Sequence, residues 1–354
     1  MPRAFVTGIT GQDGSFLTEF LLRRGYEVHG LVRQTSTGNS WRLEHHLQDP
    51  TIYGQRLFFH YAELNEPTVL RRILSEVAPD EVYHLAGQSH VGFSFEIPES
   101  ACEVTAIGTL RLLEIMRDFP NPPRFFNASS SEIFGRPAQV PQDELTAIAP
   151  VSPYGCAKAF ATQMVRIYRD KYKVFACNGI MYNHESPRRG ENFVTRKICR
   201  AAARIKLGLQ SELYLGDTSP QRDWGDARDY VYGMWLSLQY QTPEDFILAT
   251  GKVHRVQDVV ELAFSTLDLD WRKYLRLDPN MVRTVEPLRL VGNAAKAKRL
   301  LSWEPRSGFR ELISEMTIAE LKSVTKQGRS KKAYERLRDC QVMMSMREDQ
   351  DLNS

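Results

Sequence analysis

The stretch that decides the fold of this chain is Gly8-Ile9-Thr10-Gly11-Gln12-Asp13-Gly14. It follows a short apolar run at residues 4–6 and precedes an amphipathic stretch at 16–24. Glycines spaced three residues apart let a backbone turn sharply and approach a pyrophosphate, at which the next helix points its N–H groups and its positive dipole end. A glycine pattern alone also fits a merely structural turn. At the first strand-to-helix turn of a βαβ unit, it predicts dinucleotide binding by all seven residues.

The pattern around this loop alternates apolar runs with amphipathic stretches. Such alternation predicts a Rossmann-type α/β fold, in which a doubly wound parallel sheet carries helices on both faces. We expect this domain to span residues 1–179 and to be completed by about 226–251, with strands at 4–6, 26–32, 57–61, 81–85, 124–128 and 174–179 and helices at 16–24, 68–77, 101–119 and 154–171.

The elements after residue 179 are shorter and less regular. A polar stretch at 183–192 is predicted to be a loop. We expect a smaller, discontinuous α/β substrate-binding domain built from 180–225 and 252–320, followed by a charged tail at 321–354 that is either a solvated helix or disordered.

The composition is that of an ordinary globular protein, with 42% hydrophobic and 25% charged residues in a chain of 354. A formal charge of +3 is too small and too dispersed to indicate a nucleic-acid binder. No apolar run is long enough for a membrane span and no signal peptide is evident, so we expect a cytoplasmic protein. The five cysteines are widely spaced, which predicts reduced thiols and neither a disulfide framework nor a metal site.

The end of the second predicted strand indicates which dinucleotide binds. An NAD site usually has an acidic residue there to hold the ribose 2′-hydroxyl, whereas this chain has Arg33, which offers a cation to a 2′-phosphate. Ser36 can add a hydrogen bond. The alternative is that Arg33 is an ordinary exposed arginine. Its position at the end of the second strand, however, predicts NADP as the cofactor.

Tyr154 and Lys158 form the first part of a candidate catalytic set. They lie four residues apart at the start of a predicted helix and therefore share a face. The lysine is expected to lower the pKa of the tyrosine and to hold the cofactor ribose, so that a phenolate takes the proton of a sugar hydroxyl. This spacing is common by chance and needs support from elsewhere in the chain.

Ser130 and Glu132 supply that support, because they follow a strand whose carboxyl end faces the ligand crevice. Ser130 is expected to hydrogen-bond the reacting oxygen. Glu132 is expected to act as a second acid/base, which a simple alcohol dehydrogenation does not require but an elimination of water does. The alternative for Glu132 is a helix-entry residue that interacts with the helix dipole.

These residues resemble the extended short-chain dehydrogenases and, within them, the GDP-mannose 4,6-dehydratase family. The resemblance covers roughly residues 3–315 and is most specific at 183–191, with further matches at 8–17, 84–91, 108–114, 195–198, 222–225 and 249–251. It implies the catalytic roles given above for Ser130, Glu132, Tyr154 and Lys158. It also implies cofactor contacts by Glu63, Leu64, Leu85, Ala86, Gly87, Gln88, Ser89, His184 and Arg189, and nucleotide-sugar contacts by Ser89, Asn183, Lys197, Arg222, Arg283 and Glu286.

The chain departs from the family pattern at several positions. Ser130 stands where the family has threonine, Gln34 replaces a second arginine, and Ser100 replaces a tyrosine. Changes at 92–93 and 281–289 leave room for a related substrate such as a GDP-heptose.

Two other functions stay open: a nucleotide-sugar 4-epimerase or 4-reductase, and a non-catalytic NADP-binding regulator. The family also implies a homodimer or homotetramer, in which Arg188 and Arg189 are expected to reach the cofactor of a neighbouring subunit.

Overall fold

The computed structural model describes residues 1–34, 39–282 and 289–328. Three predicted site residues, Ser36, Arg283 and Glu286, lie outside the described residues, as does most of the predicted tail. The strands, in chain order, are β1 (Arg3–Thr7), β2 (Glu27–Val32), β3 (Leu57–Tyr61), β4 (Glu81–His84), β5 (Arg124–Ser130), β6 (Ala176–Met181), β7 (Asn183–Glu185), β8 (Leu213–Leu215), β9 (Gln221–Asp226), β10 (Asp245–Leu248), β11 (Val253–Arg255) and β12 (Leu275–Leu277).

Helices follow most of the strands of the first half. They are α1 (Gln12–Arg23), α2 (Glu44–Leu47), α3 (Pro67–Val77), α4 (Pro98–Cys102), α5 (Gly108–Arg117), α6 (Pro153–Tyr172), α7 (Val194–Lys206), α8 (Ala227–Gln239), α9 (Val256–Ser265) and α10 (Ala295–Leu301), and residues 309–328 are also helical. The single helix expected at 101–119 is instead a run of α4, a π-helical turn at Glu103–Ile107 and α5. Within the described residues, no helix combines the length and the apolar character that a bilayer crossing requires.

Seven strands form one parallel sheet in the order β10-β6-β5-β4-β1-β2-β3. Apolar side chains of α1, α8 and α10 pack on one face, and those of α3, α5 and α6 pack on the other. This confirms the predicted Rossmann-type parallel sheet with helices on both faces. From β1 the chain adds β2 and β3 on one side, and it then adds β4, β5, β6 and β10 on the other side. The switch point therefore lies between β1 and β4, where a crevice is expected at the carboxyl ends of the strands.

A second, smaller core lies beside this sheet. It contains apolar side chains of α7, α9 and the helical residues 309–328, together with β8 and Trp224. Strands β11, β9 and β7 form a three-stranded sheet next to it, so residues 183–185, expected to be a loop, form a strand paired with β9.

The predicted limits of the two domains stay a prediction, but one segment packs differently from what we expected. Residues of α10 and Trp303, which we placed in the smaller domain, contribute to the core of the seven-stranded sheet. The Trp303 indole donates a hydrogen bond to the Asp229 carbonyl in α8 at 2.8 Å. Of the cysteines, Cys102, Cys156, Cys177 and Cys199 are free thiols, and Cys340 lies outside the described residues.

Candidate active site

A cavity of about 930 Å³ lies at the carboxyl ends of the central strands, between the parallel sheet and the smaller core. The described residues predicted to bind or react line it, with the exception of Ile9 and of Arg188, which was expected to act in a neighbouring subunit. The Ile9 side chain is fully buried in the core beneath the glycine loop, against Gly30, so it does not face the cavity. The structure thus brings together Gly8, Thr10, Gly11, Gln12, Asp13, Gly14, Arg33, Glu63, Leu64, Leu85, Ala86, Gly87, Gln88, Ser89, Ser130, Glu132, Tyr154, Lys158, Asn183, His184, Arg189, Lys197 and Arg222.

The glycine loop at one end of the cavity requires its glycines for steric reasons. Gly8 has a φ of +72°, and a Cβ there would lie 2.8 Å from the Ala86 nitrogen at the end of β4. A Cβ at Gly14 would lie 2.3 Å from the Gly8 carbonyl oxygen. The hydroxyl of Thr7 ties the same region together, because it bonds His84 at 2.7 Å and accepts from the Ala86 N–H at 3.2 Å. The first turn of α1 lines the cavity beside these glycines, and a helix N-terminus of this kind can bind a phosphate group.

We expect Gly14→Ala to weaken dinucleotide binding by about tenfold or more, the effect of losing one hydrogen bond to a charged group. The new methyl would meet backbone atoms of Gly8 and Ile9, so the turn itself must shift. Titration with NADPH, followed by its fluorescence, measures the loss. Gly308→Ala is the matched control, because the nearest atom to its Cβ is a side-chain oxygen at 3.5 Å. Equal affinities of the two variants would contradict this account of the loop.

Ser130 and Tyr154 face each other across the end of β5 and the start of α6. Ser130 is the last residue of β5, and its hydroxyl accepts the backbone N–H of Glu132 at 3.2 Å. The helix of Tyr154 is capped by Ser152, whose hydroxyl accepts the N–H of Gly155 at 3.0 Å. The pKa of Tyr154 is raised to about 12, and burial is the largest cause. The hydrogen bond with Ser130 lowers the pKa, and the charge of Glu132 raises it.

Lys158 lies near the Tyr154 ring but forms its hydrogen bond elsewhere. Its ammonium group lies 5.9 Å from the centre of the tyrosine ring and donates a hydrogen bond to the Ala128 carbonyl. Burial lowers the pKa of Lys158 to about 8. The expected lowering of the Tyr154 pKa by Lys158 stays a prediction, because burial of the phenol is the largest effect here and raises the pKa.

The segment after β7 folds back onto its own chain. Arg188 pairs with Glu19 of α1 and donates to the Ser15 hydroxyl at 3.1 Å. Arg189 pairs with Glu185 at 3.2 Å, and its guanidinium lies 3.6 Å from the centre of the Phe193 ring. The expectation that Arg188 and Arg189 reach the cofactor of a neighbouring subunit stays a prediction; within one chain, Glu19 and Glu185 pair with these two side chains.

Arg42 is a cavity residue that our reading of the sequence missed. It donates to the Thr10 carbonyl at 3.0 Å and to the Arg188 carbonyl at 2.8 Å, so it joins the glycine loop to the segment after β7. Burial, with the charges of Arg196 and Arg188, lowers its pKa to about 10. No motif surrounds Arg42; the available signal was a cation shortly after the strand that carries Arg33.

The side of the cavity away from the parallel sheet is formed by β7, β9 and α7. Asn183 in β7 pairs in register with Trp224 of β9, and Arg222 lies two residues earlier on β9. Lys197 of α7 donates to the Tyr214 carbonyl at 2.8 Å, and burial lowers the pKa of Lys197. Two cations thus line the cavity on the side away from the parallel sheet, where they can bind a second diphosphate.

The fold and the cavity together define an enzyme of the short-chain dehydrogenase type. The dTDP-glucose 4,6-dehydratase from Streptomyces venezuelae, solved with NAD bound, superimposes with a TM-score of 0.79 at 25% identity, over 90% of this chain and 96% of that one. A family model described as GDP-mannose 4,6 dehydratase matches residues 5–316.

Relatives with higher identity carry the same family name. GDP-mannose 4,6 dehydratase 2 of Arabidopsis thaliana is 49% identical over 323 residues, covering 90% of this chain and 86% of the relative. GDP-mannose 4,6 dehydratase of Homo sapiens is 44% identical over 338 residues, covering 90% of this chain and 91% of the relative. The chain belongs to the GDP-mannose 4,6-dehydratase family, which is a family of hydro-lyases.

Proposed function

We propose that the protein is an NADP-dependent 4,6-dehydratase of a GDP-hexose, with GDP-mannose as the first candidate and GDP-4-keto-6-deoxymannose as the product. The observation that carries the proposal is one cavity lined by the glycine loop and by the set Ser130, Glu132, Tyr154 and Lys158. Membership of the GDP-mannose 4,6-dehydratase family favours a GDP-sugar as the substrate. A related GDP-sugar such as a GDP-heptose stays the alternative substrate, because the chain departs from the family pattern around the predicted sugar site.

The bound cofactor would accept a hydride from C4 of the sugar, store it and return it to C6. Tyr154 takes the proton of the C4 hydroxyl. Because its pKa of about 12 keeps it protonated at neutral pH, the tyrosine needs nearby positive charge to act as a base, and Lys158 in the same cavity supplies it. Ser130 then donates a hydrogen bond to the new C4 carbonyl oxygen.

Glu132 carries out the second half of the proposed reaction. The C4 carbonyl acidifies the hydrogen at C5, and the Glu132 carboxylate abstracts it. The same carboxyl, now protonated, gives its proton to the departing C6 hydroxyl, which leaves as water. With the stored hydride restored to C6 and a proton from solvent added at C5, the net change would be the loss of one water with no net oxidation or reduction. The proposed 4-epimerase and 4-reductase alternatives eliminate no water and have no use for this carboxylate.

The function is tested by incubating the protein with a panel of GDP-, dTDP-, UDP- and CDP-sugars and measuring product masses. We expect loss of one water from GDP-mannose and a 4-keto product. A product of unchanged mass would favour an epimerase, a gain of hydrogen would favour a reductase, and no product from any sugar would favour the regulator. Any of these three results would overturn the proposal.

The choice of NADP rests on Arg33, which lines the cavity after β2. We expect Arg33→Ala to weaken NADPH binding by about tenfold or more, as the loss of a hydrogen bond to a charged group does, and to leave NADH binding nearly unchanged. Paired titrations with NADPH and NADH measure both affinities, and Arg299→Ala in α10 is the control. Tighter binding of NADH than of NADPH by the unmutated protein would contradict this choice.

Assembly and location stay proposals. We propose a homodimer or homotetramer in the cytoplasm, on the strength of the family alone. Light scattering of the active protein checks the assembly, and a fully active monomer would contradict it.

A further inference from the structure

The imidazole of His184 lies between two hydrogen-bond acceptors. Its Nε2 is 2.8 Å from Oδ2 of Asp13, and its Nδ1 is 2.7 Å from the Tyr182 carbonyl oxygen. A carbonyl oxygen can only accept, so Nδ1 carries a proton. An ionised carboxylate also only accepts, so Nε2 carries a second proton. The geometry therefore fits a histidine that holds a full positive charge against an aspartate that holds a full negative charge.

The electrostatics agree with that protonation state. Burial by itself lowers the pKa of His184, but the charge and hydrogen bond of Asp13 raise it above its ordinary value. Burial by itself raises the pKa of Asp13, but His184 brings it below its ordinary value. The ring of Tyr230 stacks on His184, with centroids 4.6 Å apart, and an aromatic face favours a cation.

Few other charges face this pair. The guanidinium of Arg189 lowers the pKa of both partners, and the phenol of Tyr230 is neutral because burial holds its pKa well above the ordinary value. Burial lowers the pKa values of Lys158 and Arg42 across the cavity, and the charge of Asp13 opposes that lowering in both. The positive charge of His184 is thus the one most directly tied to Asp13 among the described residues.

The pair joins two parts of the site. Asp13 lies in the first turn of α1, where the glycine loop presents its N–H groups, and His184 lies in β7 next to Asn183. Gln12 strengthens the junction, because its amide donates to the His184 carbonyl at 3.0 Å and accepts from the Ser186 hydroxyl at 2.7 Å. These hydrogen bonds therefore join the cofactor side of the cavity to its sugar side.

We propose that the Asp13–His184 pair is a charge-dependent latch: protonated His184 holds the sugar-side strand on the cofactor helix and offsets the negative charge of Asp13 beside the dinucleotide diphosphate. This proposal rests on the proposed nicotinamide cofactor. When His184 loses its proton, Asp13 is left without its partner charge close to an anionic ligand. Dinucleotide affinity should therefore be highest while His184 is protonated, fall as pH rises through its titration, and level off above it.

The test is the pH dependence of NADPH and NADH dissociation constants, measured by cofactor fluorescence between about pH 6.5 and 9.5, above the second ionisation of a phosphate monoester near pH 6. NADH lacks the 2′-phosphate and should show the same step. The step should be about tenfold, the ratio that a one-unit shift of the His184 pKa on ligand binding produces.

Three variants identify the group responsible. His184→Gln keeps an N–H donor for Asp13 but has no titrating charge, so it should remove the step. Lys158→Met should leave the step in place while removing any separate step from the lysine, whose pKa is about 8. Asp13→Asn should shift the step to lower pH, because His184 loses the charge that raises its pKa; a merely structural role would not move the midpoint. His254→Gln, in β11 and stacked on Phe309, should match the unmutated protein.

A His184→Gln variant that retains the full pH step would overturn the latch, as would an unmutated protein whose affinity for both dinucleotides is independent of pH. Failure of the unmutated protein to bind either dinucleotide at any pH would instead overturn the proposed cofactor, and the latch with it. If His184→Gln does not fold, the midpoint shift in Asp13→Asn decides the matter by itself.

Discussion

Glu132→Gln should stop the elimination of water while leaving the cofactor bound. Loss of a positioned general acid/base costs about a hundred- to ten-thousandfold in rate, and we expect the upper part of that range because Glu132 would serve both as base and as acid. Glutamine keeps the size of the side chain and leaves the backbone N–H that donates to the Ser130 hydroxyl. The change should therefore remove the chemistry and little else.

The Glu132→Gln experiment is a single turnover of GDP-mannose with excess enzyme, followed by absorbance of the reduced nicotinamide and by product mass. We expect the reduced cofactor to build up on the enzyme, since oxidation at C4 proceeds and the later hydride return is blocked. Glu304→Gln, on an exposed carboxylate paired with Lys298, serves as the control. A Glu132→Gln protein that still releases water at more than about a tenth of the normal rate would assign the elimination to another group.

Tyr154→Phe should block the reaction one step earlier. Without the phenol, no group at that position takes the proton of the C4 hydroxyl, so we expect a loss of at least about a hundredfold in the first oxidation. In the same single-turnover experiment no reduced cofactor should appear, which distinguishes this variant from Glu132→Gln.

Tyr168→Phe is the matched control for Tyr154→Phe. Tyr168 lies on the same helix, is also buried, and bonds Glu114 on the side away from the cavity. The Tyr168→Phe variant should retain activity. Any activity that it does lose measures the effect of removing a tyrosine hydroxyl from α6 outside the cavity. Rapid formation of reduced cofactor by Tyr154→Phe would show that another residue is the base.

Much of the fold could be predicted because its signals are local. The glycine loop, the apolar strand at 4–6 and the amphipathic helix after it are set by neighbouring residues, and the structure places them as expected. Ser130 and Glu132 could be placed at the crevice in advance because the carboxyl ends of the strands in an open parallel sheet face it.

What the sequence did not predict depends on packing between distant segments. The pKa of Tyr154 is set by burial, which local spacing does not report. Arg188 turns to Glu19, 169 positions away in the chain, and Arg42 is placed by two carbonyl groups rather than by a motif. Strand β7 forms because β9, a later segment, offers it a partner. For Ser36, Arg283 and Glu286 the sequence-based expectation stands as a prediction.

The most direct test of the central claim follows one hydrogen through the reaction. GDP-mannose deuterated at C4 is converted in ordinary water, and the product is examined by NMR and mass spectrometry. If the cofactor stores and returns the hydride within the site, the deuterium appears at C6 and no net reduced cofactor accumulates. In a parallel reaction of unlabelled substrate in D₂O, C5 takes up deuterium from solvent. A C6 hydrogen drawn from solvent, or reduced cofactor formed in proportion to substrate consumed, would contradict the account and leave a simple dehydrogenase.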